Sequence, residues 1–167
     1  MDTLNYLAYG SNLLPARLAA RIAVRGVAGV VALPDRALAF DKRGADGSGK
    51  AHLVAAPGET AWGVVYRIAA DDKPTLDRIE GVGHGYDVEI VVAPGIGPCF
   101  LYSARAAARA AGLLPFDWYL AYVLEGARHH LLPDDYRARL ATVRTRRDPD
   151  DARRAENYAR LGIAPQR

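Results

Sequence analysis

Apolar residues come in two regimes along this chain. Up to about residue 104 they fall in short extended runs, and from about 116 they recur at helical spacing. The extended candidates are TLNYLAY (3–9), GVAGVVAL (26–33), RALAFDK (36–42), KAHLVAAP (50–57), TAWGVVYRI (60–68), YDVEIVVA (86–93) and PCFLYSA (98–104). Gly and Pro punctuate them, notably at 44–49 and 57–59, and PGIG (94–97) reads as a hairpin turn. Within 60–68, alternation points Trp62, Val64, Tyr66 and Ile68 one way and Ala61, Gly63, Val65 and Arg67 the other. Leu14, Leu18 and Ile22 make an apolar stripe that predicts a helix over 13–24, with Arg17 and Arg21 on another face. Pro15 falls in its first turn, where a missing N–H costs little. Further helices are predicted over 72–80, 116–130, 134–144 and 148–162, with Asp71 or Asp72 and then Asp117 as caps. No internal repeat or low-complexity linker interrupts this order. Seven strands with few long crossovers predict an α+β fold: a mostly antiparallel sheet or small barrel with flanking helices.

Length and composition narrow the class. The chain has 167 residues, half of them apolar and 25% charged, which suits one packed domain, with an arginine-rich helical tail from about 145. A net charge of +3 is too small to imply nucleic acid. Cys99 is the only cysteine, so neither an internal disulfide nor a cysteine-rich zinc site is expected. The N-terminus lacks the pattern of a signal peptide, and no apolar stretch approaches the ~20 residues of a membrane span. A cytoplasmic protein that binds neither membrane nor nucleic acid is the expectation. Between 137 and 160, eight arginines face four acidic residues, read as a solvated helix face rather than an anionic-polymer site.

Candidate chemistry concentrates at two places. In YGSNL (9–13) an extended run meets Gly10, Ser11 and Asn12 and then a helix. Free backbone N–H groups at such a junction can cradle a carboxylate or phosphate. On spacing alone, Ser11 or Asn12 as a plain helix cap is the favoured reading. Glu80, in LDRIEGVGHGY (76–86), ends a helix just before Gly81. There the anion faces the negative end of the helix dipole, a setting that suits proton exchange near neutral pH. An exposed carboxylate at a frayed helix end is the alternative. Tyr9, Tyr66, Tyr86, Tyr102 and Tyr119 can line a polar pocket or fill a core. His129 and His130 are adjacent and make a poor metal pair on a helix.

YGSNL, WGVVY (62–66) and LDRIEGVGHGY, in this order, resemble the gamma-glutamylcyclotransferase family over roughly residues 4–140. The resemblance implies a small β-barrel with flanking helices and a cavity at one barrel end. It implies Glu80 as the catalytic acid/base. It implies substrate-binding roles for Leu7, Ala8, Tyr9, Gly10, Ser11 and Asn12, with Tyr102 and Tyr119 as pocket tyrosines. The implied reaction closes a gamma-glutamyl compound into 5-oxoproline and releases an amine or amino acid. It calls for no metal or other cofactor, and a homodimer is compatible with it. A non-catalytic module binding a small amino-acid-like ligand on the same fold is the competing reading.

Overall fold

In the computed structural model, which describes residues 2–165, the first strand runs through the middle of the sheet. Among the described residues the strands are β1 (Thr3–Ala8), β2 (Val24–Arg43), β3 (Gly49–Ala69), β4 (Tyr86–Ala93) and β5 (Gly97–Ala104). Their order is β2-β3-β1-β5-β4, antiparallel throughout except for the parallel pair β1 and β5. The ladder does not close, but the sheet curls like a barrel. Arg36 of β2 forms an ion pair with Glu89 of β4, so the two edges approach each other. The Tyr86 hydroxyl, at the start of β4, likewise donates to the Ala51 carbonyl of β3 at 2.8 Å.

Seven expected strands are five because two breaks in the pattern are bends inside continuous strands. The runs 26–33 and 36–42 join through Pro34 and Asp35, where the register slips. The runs 50–57 and 60–68 join through Gly58, whose φ of +81° suits glycine. The two bends lie against each other, since Asp35 Oδ1 accepts the Gly58 N–H at 2.8 Å. Proline and glycine here mark bulges, which sharpen the curl, rather than strand ends. The alternation expected over 60–68 holds, with Tyr66 on the Tyr6 side of the sheet and Gly63 and Val65 on the Leu7 side, but both faces are covered: Val64, Val65, Tyr66 and Ile68 are all fully buried. β3 is an interior strand with core on both sides.

The helices are α1 (Pro15–Ala19), α2 (Lys73–Glu80), α3 (Asp117–His129), α4 (Asp134–Ala141) and α5 (Asp151–Leu161). The first is far shorter than the apolar stripe over 13–24 suggests. A residue before proline is pushed out of the helical region, and Leu14 is extended, with ψ 118°. Ser11–Leu13 therefore forms a separate 3-10 turn, and β2 claims the chain from Val24 onward. Asp72 stands at the N-cap position of α2, but its side chain makes no capping bond; its carboxylate accepts the Ala23 N–H at 3.0 Å. Asp117 lies in the first turn of α3 and accepts the Trp118 N–H.

The arginine-rich segment is only partly a solvated face. Arg147 with Asp151 and Arg160 with Glu156 are exposed i,i+4 pairs. Arg154, however, turns inward to Asp117 at 2.6 Å, and Tyr158 is buried. Asp148 is wholly buried and takes bonds from Arg153, from the Trp118 indole at 2.8 Å and from the Asp150 N–H at 2.9 Å. These contacts pack α5 onto α3. The segment expected to run to Arg167 ends outside the described residues at Gln166 and Arg167.

Although burial opposes it, bonding to Arg153, the Asp150 amide and Trp118 holds the Asp148 carboxyl down at about 2. A depressed carboxyl stabilises the fold above the unfolded value near 4 and loses that contribution as pH falls toward 2. Asp148→Asn is expected to lower unfolding free energy at pH 7 by roughly 2 kcal/mol. The deficit should shrink between about pH 4 and pH 2, measured by urea titration. A pH-independent deficit would locate the effect in packing instead.

Candidate active site

Strand register builds the floor of the site. β1 and β3 pair Tyr6 with Tyr66, and β1 and β5 pair Tyr6 with Phe100, so the three rings share one side of the sheet. Tyr6 stacks on Phe100 with 5.2 Å between centroids. Both tyrosine hydroxyls hold the turn that follows β1. Tyr66 donates to the Leu13 carbonyl at 2.7 Å, and Tyr6 accepts from Asn12 Nδ2 at 3.0 Å. Because the Tyr66 proton goes to Leu13, the contact with His130 Nε2 at 2.7 Å is a bond donated by the imidazole.

The turn is pressed from above by α3. A Cβ on Gly126 would lie 2.5 Å from the Leu13 carbonyl carbon and 2.5 Å from the Leu14 nitrogen. Glycine lets the helix backbone rest directly on the turn. Gly10 is confined in the same way, since a Cβ there would lie 2.7 Å from the Ala51 Cβ.

Glu80 reaches this turn from the far end of α2. Gly81 (φ +73°) stops the helix in a left-handed cap, with the Val82 N–H bonded to the Asp77 carbonyl. Glu80 Oε1 accepts from Asn12 Nδ2 at 3.0 Å and from Arg21 at 2.8 Å. Oε2 has no partner among the described residues. Arg21 lies just beyond α1, so its guanidinium offsets the unfavourable dipole end that Glu80 occupies. Asn12 gives both amide hydrogens away, to Tyr6 and to Glu80, and its buried Oδ1 accepts none among the described residues.

These groups surround a cavity of ≈ 30 Å³ with an open mouth. Tyr9, Gly10, Ser11 and Asn12 line it from the turn, Glu80 from α2, Tyr102 from β5 and Tyr119 from α3. Leu7 and Ala8 do not line it. They are fully buried inside β1, opposite Val65 and Val64 of β3. Tyr102 contributes its ring, because its hydroxyl donates to Asp77 at 2.7 Å. Tyr119 accepts the Ala51 N–H at 3.1 Å. Tyr9 donates to the Tyr102 carbonyl. Burial pushes the Tyr6, Tyr9, Tyr86, Tyr102 and Tyr119 hydroxyls above the ordinary phenol value. They act as neutral donors and acceptors at any ordinary pH.

Tyr86, one of the tyrosines that the sequence offers for a pocket or a core, lines the cavity, while Tyr6, Ala51 and Arg21 join the site without having been singled out in the sequence. One signal for Arg21 was present: Arg17 and Arg21 stand four apart directly after the YGSN turn. Ala51 carries no such signal, because only the curl of the sheet brings it here. The short helix also changes the expected anion cradle. A 3-10 turn and a five-residue helix supply little dipole, so the positive charge at this place comes mainly from arginine.

A family model described as AIG2-like matches residues 60–140. Gamma-glutamylcyclotransferase of Mus musculus is 30% identical over 149 residues, covering 85% of this chain and 79% of the mouse protein. The chain belongs to the gamma-glutamylcyclotransferase family. The Bos taurus protein of the same name is 28% identical over 153 residues, 87% of this chain and 79% of its own. A solved gamma-glutamyl cyclotransferase superposes with a TM-score of 0.81 at 24% identity, over 95% of this chain and 99% of its own, so the fold is shared nearly end to end.

Gly126→Ala separates close packing from helix propensity. Propensity alone favours alanine by about 1 kcal/mol. Contact with the Leu13 backbone should reverse the sign and destabilise by roughly 1–3 kcal/mol. Urea denaturation reads the sign directly, and a more stable variant would show that α3 does not bear on the turn.

Proposed function

We propose that the protein is a gamma-glutamylcyclotransferase in activity as well as in family. It converts a gamma-glutamyl amide into 5-oxoproline and a free amine, with Glu80 as the acid/base. One observation carries the reading: a carboxylate bonded to Asn12, 68 residues away in the chain, stands at the edge of a tyrosine-lined cavity.

The chemistry follows from the substrate. Its α-amine already lies within reach of its own side-chain carbonyl, so attack is intramolecular and benefits from proximity. A carbon–nitrogen bond forms to close the five-membered lactam, and the amide bond to the leaving amine breaks. The α-ammonium must first lose a proton, and the leaving nitrogen must gain one. One carboxylate can serve both steps. Arg21 and Asn12 occupy Oε1, which leaves Oε2 to take and return that proton. The unpartnered Oδ1 of Asn12 is a fitting acceptor for the substrate ammonium, and the N–H groups of the turn suit its carboxylate or the developing oxyanion.

Glu80→Gln keeps the shape and can still bond to Arg21 or Asn12, but its amide can neither take up nor return a proton as a carboxylate does. It should cut 5-oxoproline formation from gamma-glutamyl dipeptides by roughly 10²–10⁴-fold. Mass spectrometry of the product and a melting curve test this together. Normal turnover by the variant rules the mechanism out. A gamma-glutamyl ligand that raises the melting temperature of the natural protein without turnover favours the binding-module reading.

A further inference from the structure

Outside the cavity lies a wider vestibule of ≈ 350 Å³ that shares Ser11, Glu80, Tyr86 and Tyr119 with it. A substrate whose gamma-glutamyl part sits beside Glu80 can project its leaving portion into this space. Four basic side chains line it: Arg17, Arg21, Lys42 and Lys50. Two are neutralised within the protein. Arg21 pairs with Glu80, and Lys50 pairs with Asp46 at 2.7 Å. Arg17 and Lys42 have no carboxylate partner within 4 Å among the described residues.

Both are held in place nonetheless. Arg17 donates to the Ser11 hydroxyl at 3.0 Å and lies over the Tyr122 ring at 4.1 Å. The Lys42 ammonium lies over the Tyr86 ring at 4.6 Å and against Gly85, where a Cβ would come within 2.8 Å of Nζ. Neither contact neutralises the charge, and burial lowers the proton affinity of both groups. Partly desolvated cations without counter-ions favour an anion entering beside them.

We infer that Arg17 and Lys42 select the leaving portion, and that the preferred substrates are gamma-glutamyl compounds releasing an acidic amino acid. This rests on the proposed reaction at Glu80. An acidic amino acid offers an α-carboxylate and a side-chain carboxylate to the two open cations. A neutral amino acid offers one carboxylate. A leaving portion joined through the ε-amine of lysine brings a second ammonium into a basic space, which penalises it.

The test is 5-oxoproline release from gamma-glutamyl-glutamate, gamma-glutamyl-alanine and gamma-glutamyl-ε-lysine, by the natural chain and by Lys42→Met, Lys42→Arg and Arg17→Lys. The natural chain should favour the glutamate compound in kcat/KM, with the preference falling as salt is added. Lys42→Met should reduce the glutamate-to-alanine ratio about tenfold, chiefly through KM, and Lys42→Arg should largely retain it. Equal or better use of the alanine compound by the natural chain overturns the inference while leaving the reaction standing. An unchanged ratio in both Lys42→Met and Arg17→Lys overturns the assignment to these residues. No 5-oxoproline from any of the three compounds overturns the reaction at Glu80, and the inference falls with it. The comparison within the natural chain decides the matter even if a variant fails to fold.

Discussion

One carboxylate oxygen joins three separate stretches of this chain. Glu80 Oε1 accepts from Asn12 in the turn after β1 and from Arg21 just beyond α1, while Glu80 itself ends α2. A carboxylate with only 18% of its side chain exposed demands such compensation, since an unmatched charge in that setting is costly. The bond from Asn12 also settles which way its amide faces, because only the NH₂ group can serve Glu80 and Tyr6 together. The free Asn12 oxygen and the free Glu80 oxygen are therefore by-products of a single hydrogen-bond arrangement. Preorganisation of this kind places polar groups where a ligand can use them before any ligand arrives.

The rest of the fold keeps that arrangement rigid. Tyr6 and Tyr66 hold the turn from the sheet, and α3 presses it through the bare backbone at Gly126. Bulges at Asp35 and Gly58 curl the sheet, which is how Ala51 and Tyr86 reach the same cavity from β3 and β4. Charge is layered outward from this floor: neutral tyrosines around the cavity, one compensated carboxylate, then a basic vestibule. The ordering agrees with a reaction that needs a fixed proton carrier inside and an anion-attracting entrance outside.

Local signals told much of this in advance. Helix stops and hairpins were legible where one residue type has a single physical use, as at Gly81 and in PGIG (94–97). Expectation failed where tertiary context overrode a local rule. Pro34 and Gly58 read as breaks but serve as bends in long strands. The stripe over 13–24 read as one helix, although Pro15 had already limited what Leu14 could adopt. The arginine-rich segment read as solvated because pairing to Asp117 and Asp148 depends on partners outside the local helix pattern.

By itself the sequence determined the element types, the abrupt turn at YGSN, the helix end that carries Glu80 and the resemblance to a family. Each depends on spacing or on backbone preferences that act within a few residues. Only the tertiary structure decided that Asn12 touches Glu80, that Arg21 balances it, that Leu7 and Ala8 stay inside the sheet, and that Arg17 and Lys42 find no carboxylate partner among the described residues. Those outcomes depend on the register of strands far apart in the chain and on which charges meet after the sheet has curled. No local preference encodes a distance across 68 residues.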